Sequence, residues 1–394
     1  MPDPAVWDAV VVGAGPAGAA IAARLAGEGF GVLLLDRAEF PRRKACGECV
    51  SPAGVEALRS LGALSAVLAA GPAPLAGWRI RAEGGAGFAG RFPEGRTGLG
   101  IARETLDAIL VEHARACGAE VRTGLRVRDL LREGERTCGV VAGRGGAEVA
   151  LRARVVVGAD GLRSVVLRRL GLVRRAPRLR KVALTAHVRG ADGLADTGEL
   201  RVRAGGCLGI APVGEGRANV SVVVAGGAPG AVAGGAAGCF DRALRGYGLE
   251  GVERVDEVLA TGPFDWPVRC TVADGAVLVG DAAGYYDPFT GQGIFRALRG
   301  AELAAEAVGA ALRRGDVSAA ALSGYDRARR RAFGPGERLQ QVIEAFVSRP
   351  RALAAAARRL DRRPEAADAL IRVTGDLEPV RSLLDPALLF RLVW

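Results

Sequence analysis

Cys46 and Cys49 are candidates for redox or proton-transfer chemistry. They occur in the sequence Cys-Gly-Glu-Cys, a spacing that would allow either a redox-active dithiol or two independent thiols. We favour two reduced, packed cysteines. The seven cysteines of the chain are an odd number scattered along its length, which argues against a disulfide framework. Cys46 is in addition a candidate catalytic proton donor.

His187 is one of two histidines in the chain, and an imidazole can accept or donate a proton near neutral pH. In a predicted strand over Val182–Val188, the alternation of side chains would place His187 and Thr185 on one face. If that face points toward a cofactor, His187 can act as a catalytic acid or base. A solvent-facing histidine is the simpler interpretation, and the sequence leaves both open.

A glycine-rich turn near the N-terminus has the spacing of a dinucleotide-binding fingerprint. Gly13, Gly15 and Gly18 follow a short apolar run and open an alanine-rich helix. The first glycine permits a tight turn, the second lets a pyrophosphate approach the backbone, and the third lets the helix pack on the strand. Asp36, at the end of the next predicted strand, is placed to bind ribose hydroxyls, and Arg37 beside it is a further candidate contact.

A second glycine-containing segment, Gly280-Asp281, follows a predicted strand and leads to a helix that begins near Gly291. Taken alone, it is compatible with a turn that binds no ligand. Together with the N-terminal fingerprint, it resembles the flavoprotein hydroxylase family, typified by para-hydroxybenzoate hydroxylase, and the related geranylgeranyl reductases.

This resemblance implies that the chain binds FAD. It implies that Asp281 binds the ribityl chain, that Pro288 lies close to the isoalloxazine, and that amides near Gly291, Gln292 and Gly293 approach the N1/O2 edge. A helix N-terminus at that edge would stabilise the negative charge that builds on a reduced flavin.

Two more segments match the same family. The sequence from Gly158 to Ser164 resembles its Asp-Gly motif, which implies that Asp160 and Gly161 help to place the flavin pyrophosphate and a nicotinamide nucleotide. Arg103, at the start of a predicted helix, matches an arginine that lies along the FAD, although by itself it could be a surface cation. The resemblance also implies NAD(P)H as the electron donor.

The loop before Cys49 resembles one branch of the family in particular. Its sequence, Pro-Arg-Arg-Lys-Ala-Cys-Gly, is similar to the Pro-Arg-x-Lys-x-Cys-Gly segment of geranylgeranyl-reductase-like proteins. The resemblance implies that Arg42, Lys44, Cys46 and Gly47 lie near the cofactor. Cys49 departs from the pattern, because a bulkier apolar or aromatic residue is usual at its position.

These elements predict an α/β fold (α+β overall). It consists of a Rossmann-like FAD-binding domain, an inserted, mostly antiparallel β-sheet domain for the substrate, and a helical C-terminus. The expected boundaries are 1–75, 98–170 and 262–316 for the first domain, 76–97 and 171–261 for the second, and 317–394 for the helical segment.

Composition narrows the classes of partner. The net charge is +11, but Lys44 and Lys181 are the only lysines among 54 basic residues, a bias typical of a GC-rich genome. The basic stretches could steer an acidic carrier protein, and solvated surfaces are the simpler interpretation. The basic stretches lack the interleaved aromatic residues that are typical of single-stranded nucleic-acid binding. The sequence has no Cys–His cluster that would indicate a metal site. No apolar run approaches the roughly 20 residues of a membrane span. We expect a cytoplasmic protein.

The function expected from these features is that of an NAD(P)H-dependent monooxygenase. Oxygen would add to reduced FAD to give a C4a-hydroperoxide, which would hydroxylate an aromatic or polyketide-like substrate. The alternative is a geranylgeranyl-reductase-like enzyme that saturates isoprenoid C=C bonds, and a second alternative is a non-catalytic flavin redox sensor or carrier. The Cys-Gly loop favours the reductase. The lack of an aromatic-rich strand near Cys207–Pro212 favours oxygen chemistry, and no halogenase signature is present.

Overall fold

The computed structural model describes residues 6–178, 181–191, 193–225, 235–287 and 289–384. Its mixed architecture confirms the predicted fold class. The α-helices of the described residues are α1 (Pro16–Gly27), α2 (Pro52–Leu61), α3 (Leu64–Ala69), α4 (Arg103–Ala116), α5 (Val165–Arg169), α6 (Gly235–Gly246), α7 (Gly293–Arg314), α8 (Ala319–Val347), α9 (Pro350–Asp361) and α10 (Pro364–Thr374). The strands are β1 (Trp7–Val12), β2 (Val32–Leu35), β3 (Cys49–Val50), β4 (Ala73–Leu75), β5 (Gly77–Ala82), β6 (Gly87–Arg91), β7 (Gly98–Gly100), β8 (Glu120–Arg122), β9 (Arg126–Glu133), β10 (Arg136–Arg144), β11 (Ala147–Gly158), β12 (Lys181–Arg189), β13 (Thr197–Arg203), β14 (Gly206–Gly214), β15 (Arg217–Ala225), β16 (Glu253–Arg254), β17 (Leu259–Thr261), β18 (Val272–Ala273) and β19 (Ala276–Leu278).

Along the order β18-β19-β11-β1-β2-β8, the strands of the first sheet pair in parallel except β18 with β19. The hairpin β9–β10 joins this sheet through antiparallel pairing of β10 with β11. Helices α1, α4 and α7 cover one face of this sheet. The hairpin β9–β10 and α5 cover the other. Strands β1 and β2 are therefore buried on both sides, which explains why their sequences are apolar runs without alternation.

The second sheet has the order β16-β12-β15-β14-β13-β5-β6, and β17 also pairs with β12. Its pairs are antiparallel except β5 with β13, which run parallel. Residues 77–91 thus join a sheet whose other strands lie between residues 181 and 261. Helix α6 covers one face, where Phe240 is fully buried against β12, β14 and β15.

The C-terminal helices α9 and α10 pack against β5 and β6, at the far edge of the second sheet. Leu353 and Ala357 of α9 and Ile371 of α10 share one apolar core with Ile80 and Phe88 of these strands. The long helix α8 connects this region to α7, which lies on the first sheet. The helical end of the chain therefore packs against the second sheet and also connects it to the first.

Between the two large sheets lies a small one of order β3-β7-β4. Strand β3 ends directly before α2, whose N-cap is Ser51 with its hydroxyl accepting a hydrogen bond from Gly54 N at 3.3 Å. Pro52 occupies the first turn, where its missing N–H costs nothing. This strand and capped helix anchor the C-terminal end of the Cys-Gly loop.

Candidate functional site

A cavity of ≈ 650 Å³ lies at the carboxyl ends of the first sheet and extends to the open face of the second. Ligands of doubly wound α/β proteins bind at this position. The predicted residues that line the cavity are Gly13, Gly15, Asp36, Arg37, Arg42, Lys44, Cys46, Gly47, Arg103, Asp160, Gly161, Gly280, Asp281, Gly291 and Gly293. Segments that are distant in the sequence thus meet around one space.

Gly15 and Gly18 of the N-terminal turn have different structural roles. A Cβ on Gly18 would lie 1.8 Å from Gly13 O, so α1 can approach the turn only without a side chain there. A Cβ on Gly15 would have no protein atom closer than 3.8 Å, and the nearest atoms are guanidinium nitrogens of Arg42 and Arg103. Gly18 therefore serves the fold, whereas Gly15 leaves space in front of two cations.

Asp36 organises the same turn from the end of β2. Its carboxylate accepts hydrogen bonds from Ala14 N and Ala38 N, both at 2.8 Å. These bonds hold the carboxylate at the cavity wall. Arg37 lies beside it in the same wall.

Arg42, Lys44 and Arg103 form a cluster of cations in the cavity wall. Arg103 is held by a bidentate ion pair with Asp107, with both N–O distances 2.7 Å. Arg42 Nη1 lies 3.0 Å from Asp107 Oδ2, yet it is buried without a hydrogen bond among the described residues. Burial, followed by the charge of Arg103, lowers the pKa of Lys44. Arg42 Nη2 also lies 3.6 Å from Asp36 Oδ2. Carboxylates thus hold the two guanidinium groups in position, and the guanidinium and ammonium groups that line the cavity fit the pyrophosphate of a dinucleotide.

Asp160 follows β11 and faces the start of α5. Its carboxylate accepts hydrogen bonds from Ser164 Oγ and Val165 N, both at 2.5 Å. Burial raises its pKa, and these bonds act in the opposite direction. In the structure the carboxylate thus caps α5 and holds the turn that contains Gly161, whose φ is +78°.

Asp281 lies in a 3₁₀ helix, Gly280–Ala283, directly after β19. Burial raises its pKa, while the positive charges of Lys44 and Arg103 lower it. The carboxyl group therefore faces the cation cluster from the opposite segment of the cavity. It can accept a hydrogen bond from a ligand hydroxyl there.

The segment before α7 brings only part of the predicted set to the cavity. Gly291 and Gly293 line it. The side chain of Gln292 points elsewhere, because its Nε2 donates to Asp376 and its Oε1 accepts from Gln340 Nε2 at 3.1 Å. Gln292 can therefore serve the cavity only through its backbone. Pro288, which we expected near the ring system, lies outside the described residues.

The Cys-Gly loop carries two free thiols with different surroundings. Cys46 lines the large cavity, and its sulfur accepts a hydrogen bond from Glu48 N at 3.4 Å. Cys49 donates to Gly47 O at 3.0 Å, and burial raises the pKa of its thiol well above the ordinary value. Both cysteines line the large cavity, but Cys49 is a protonated, weakly nucleophilic thiol.

His187 is buried, with only 2% of its surface exposed, so the expectation of a solvent-facing histidine is wrong. Its Nε2 lies 2.6 Å from Glu48 Oε2 and its Nδ1 lies 2.7 Å from Asp256 Oδ2. Burial alone would lower the pKa of His187, but the hydrogen bonds and charges of these carboxylates raise it. The ring does not itself line the cavity, whereas Glu48 does. An effect of His187 on chemistry must therefore pass through Glu48.

Polar residues of the second sheet form another wall of the cavity, and two of them, Asn219 and Ser221, were not predicted as site residues. Thr185, Asn219 and Ser221 lie on adjacent strands β12 and β15 and face the cavity. Ser221 Oγ lies 3.1 Å from Asn219 Oδ1 and 3.4 Å from Cys46 O. The alternation of polar and apolar residues in β15 was the signal that could have identified them.

A second cavity of ≈ 270 Å³ adjoins the first and was not predicted. It lies between β5, β6 and the helices α8, α9 and α10. Its walls are almost entirely apolar, formed by residues such as Leu75, Trp78, Ile80, Phe88, Phe92, Ile343, Leu353, Leu360, Leu370 and Ile371. The two cavities share Cys49, Trp78, Leu200, Phe289 and Gly291 in their walls. An apolar compartment thus opens beside the cavity that holds the cation cluster.

Among the described residues, no helix is both long and apolar enough to cross a membrane. The same residues include no group of three or more His, Cys, Asp or Glu side chains arranged to hold a metal ion.

The first cavity has a glycine turn, a carboxylate at the end of β2 and a cluster of cations at the carboxyl ends of a parallel sheet, and this combination defines a dinucleotide-binding protein. A family described as "FAD binding domain" matches residues 7–213. The digeranylgeranylglycerophospholipid reductase of Methanosarcina acetivorans is 32% identical over 328 residues, which cover 79% of this chain and 77% of the relative. Digeranylgeranylglycerophospholipid reductase 2 of Methanopyrus kandleri is 34% identical over 347 residues, which cover 83% of each chain.

Solved structures give the same answer about the fold. A geranylgeranyl bacteriochlorophyll reductase-like protein from Thermoplasma acidophilum has a TM-score of 0.81 at 22% identity, covering 96% of this chain and 99% of that one. The myxobacterial chondrochloren halogenase CndH has a TM-score of 0.79 at 25% identity, covering 98% and 92%. The chain belongs to the FAD-binding family that matches residues 7–213, and it is an FAD-dependent oxidoreductase.

Proposed function

We propose that this flavoprotein reduces carbon–carbon double bonds in an isoprenoid or similarly long apolar chain. The observation that carries the proposal is the apolar cavity of ≈ 270 Å³ that adjoins the FAD cavity. Walls shared by the two cavities would allow a chain bound in one to present a double bond in the other. This is the alternative that the sequence raised, and we now prefer it to the monooxygenase.

The relatives support the same choice. The two archaeal proteins that are 32% and 34% identical to this chain are named as reductases of a digeranylgeranylated lipid. Their matches extend over about four fifths of the chain and thus include the second sheet as well as the FAD-binding segments. A common reaction class is the simplest consequence of that extent.

The lack of aromatic residues in β14 does not exclude a reductase. We expected the aromatic residues of an isoprenoid site in β14, near Cys207–Pro212, and β14 has none. The apolar wall is built instead by β5, β6 and the C-terminal helices, with Trp78, Phe88 and Phe92 among its residues. Burial of a hydrocarbon chain there would contribute about 0.8 kcal/mol per methylene, so a few isoprene units suffice for binding.

When FAD is bound and reduced, it supplies the hydride equivalent that saturation of a C=C bond requires. The chain itself must then exclude water, orient the double bond and deliver one proton to the adjacent carbon. Cys46 is the candidate donor, because it lines the FAD cavity next to the shared wall. Cys49 lies in that wall as a packed thiol, where it can contact the chain. We propose NAD(P)H as the source of electrons.

A monooxygenase is the second candidate, and one observation favours it. Thr185, Asn219 and Ser221 give the FAD cavity a polar wall, and such a wall could bind the hydroxyl of an aromatic substrate. An oxygenase would need that wall for substrate orientation, whereas the adjoining apolar cavity would have no evident use in it. The reductase uses both compartments.

An anaerobic half-reaction tests the proposal. Purified holoenzyme is reduced without oxygen and then mixed with a geranylgeranylated glycerophospholipid, while the flavin spectrum is recorded. We expect reoxidation of the flavin without oxygen and a product heavier by two hydrogens for each double bond reduced. If the flavin stays reduced until ¹⁸O₂ is admitted, and an aromatic substrate then gains the label, the reductase is excluded and the monooxygenase is supported.

A further inference from the structure

We propose that the mouth of the apolar cavity is a docking surface for an anionic lipid bilayer, from which the chain draws its substrate. The surface consists of Val342 and Phe346 on α8 and the arginines around them. The proposal extends the proposed function by giving the source of the substrate, but its binding test does not depend on that function.

Two residues line the apolar cavity and are also exposed to solvent, and they mark the mouth of the cavity. Val342 and Phe346 both line the apolar cavity, yet 53% and 43% of their surfaces are exposed. They are four residues apart in one helix and therefore lie on the same face of α8. The other large apolar residues that are strongly exposed, such as Leu68, line neither cavity. The cavity thus opens to the exterior through a pair of uncovered apolar side chains.

Two exposed arginines flank this pair along the chain. Arg338 lies four residues before Val342, on the same face of α8, and Arg349 donates to Ala345 O at 2.8 Å one turn beyond. Helix α9 and the two residues after it add five further arginines: Arg351, Arg358, Arg359, Arg362 and Arg363. All of them except Arg363 are exposed. No ion pair links any of these seven arginines to a carboxylate within the described part of the chain. The only acids between residues 338 and 363 are Glu344, which is paired with Lys181, and Asp361.

Exposed apolar side chains with arginines nearby are chemically complementary to the interface of an anionic bilayer. The apolar pair can enter the boundary between headgroups and acyl chains, while the guanidinium groups bind the phosphates above it. An acidic carrier protein would satisfy the arginines but would leave Val342 and Phe346 without a partner of matching chemistry. A bilayer satisfies both groups, and an isoprenoid chain could pass from it into the cavity without crossing water.

Vesicle sedimentation with the full-length holoenzyme tests the surface. The probes are vesicles of phosphatidylcholine alone and vesicles that also contain phosphatidylglycerol. We expect binding to the anionic vesicles only, weakened by salt. The double substitution Arg338→Glu and Arg349→Glu, and separately Phe346→Glu, should each lower the partition coefficient by about tenfold or more.

Matched controls change the same residue types elsewhere. Leu68→Glu alters an equally exposed leucine on α3, and the pair Arg136→Glu and Arg245→Glu reverses two exposed arginines far from α8 in the sequence. Both controls should bind vesicles like the parent protein. Failure of the parent to bind anionic vesicles, equal losses in controls and test variants, or capture of an acidic carrier protein by this surface in place of vesicles would each overturn the proposal.

A separate assay distinguishes this proposal from the reductase itself. With a short, soluble isoprenoid in vesicle-free solution, the variant carrying Arg338→Glu and Arg349→Glu should turn over at the parental rate, since neither arginine lines a cavity. The same variant should be slower than the parent with substrate embedded in anionic vesicles. A parent that binds vesicles but reduces no isoprenoid would refute the reductase and leave the docking surface standing.

Discussion

Glu48 Oε2 and His187 Nε2 lie 2.6 Å apart and join two residues that are 139 positions distant in the sequence. The contact ties the Cys-Gly loop of the FAD-binding part to β12 of the second sheet. Asp256 holds the other ring nitrogen at 2.7 Å and is itself paired with Arg43 at 2.8 Å. The second carboxylate oxygen of Glu48 accepts a hydrogen bond from Arg103 N at 2.8 Å. Since Glu48 lines the FAD cavity, this chain of contacts fixes the cavity wall next to Cys46.

The protonation of His187 should make stability depend on pH. The two carboxylates raise its pKa in the folded protein above the ordinary value of 6.5. The folded state therefore holds the proton more tightly than the unfolded state, so the stabilisation is complete below pH 6.5 and is lost as pH rises through the higher folded value. His187→Gln should lower the free energy of unfolding by about 3 kcal/mol in mild acid and by less in alkali.

Thermal unfolding across this pH range measures the effect, and His113→Gln is the control. His113 contacts Leu61 O at 2.8 Å and has no carboxylate partner in the described structure. FAD should remain bound to the His187 variant, because the ring does not line the cavity, while turnover should fall. A pH-independent difference between the variant and the parent would show that the imidazole is not the titrating group.

Two glycine substitutions should separate cofactor binding from folding. Gly15→Val places a side chain in the open space before Arg42 and Arg103, so the apoprotein should fold while FAD is excluded. Gly18→Ala places a Cβ 1.8 Å from Gly13 O, so it should destabilise the fold itself by several kcal/mol. Flavin absorbance per mole of protein and the Tm of the apoprotein report the two effects. Full FAD occupancy in Gly15→Val would contradict the assignment of the cavity.

Cys46 and Cys49 should differ in importance although they share one motif. Cys49→Val replaces a buried thiol by a side chain of similar size, so we expect a change in stability below about 1.5 kcal/mol and nearly unchanged turnover. Cys46→Ala should slow turnover strongly with FAD still bound, because the candidate proton donor is lost. Thiol titration of the parent protein should find both cysteines free. A large loss of turnover in Cys49→Val would instead support a redox-active dithiol.

The length of chain that the enzyme accepts should depend on the apolar cavity. Ala356 of α9 lines this cavity, whereas its neighbour Ala355 is exposed. Ala356→Trp should lower kcat/KM for a geranylgeranyl chain by about tenfold or more and should affect a geranyl chain much less, since only the longer chain needs the filled volume. Ala355→Trp should leave both values unchanged. Equal effects of Ala356→Trp on both substrates would place the chain elsewhere.

The FAD-binding half of the protein could be predicted from local patterns in the sequence. The turn from Gly13 to Gly18 and the carboxylate of Asp36 belong to one strand–helix–strand unit, whose contacts are local and therefore leave a motif. Asp160 and Asp281 follow strands that pair with the same sheet, so their order in the chain indicated their position. The hairpin β9–β10 escaped prediction, because β9 is mostly exposed, β10 is mostly buried, and neither shows a regular alternation of apolar and polar residues.

What the cavity can hold depends on contacts between segments that are distant in the sequence. The partners of His187 come from a loop around residue 48 and from Asp256, and no spacing in the sequence connects these positions. The apolar compartment combines β5 and β6 with α8, α9 and α10, about 250 to 300 residues later in the chain. Each of these elements has an ordinary apolar face, which would serve equally well in a filled core. These faces form a binding site because they pack around an empty space that opens beside the FAD cavity. Such a space depends on tertiary packing and leaves no pattern in the sequence.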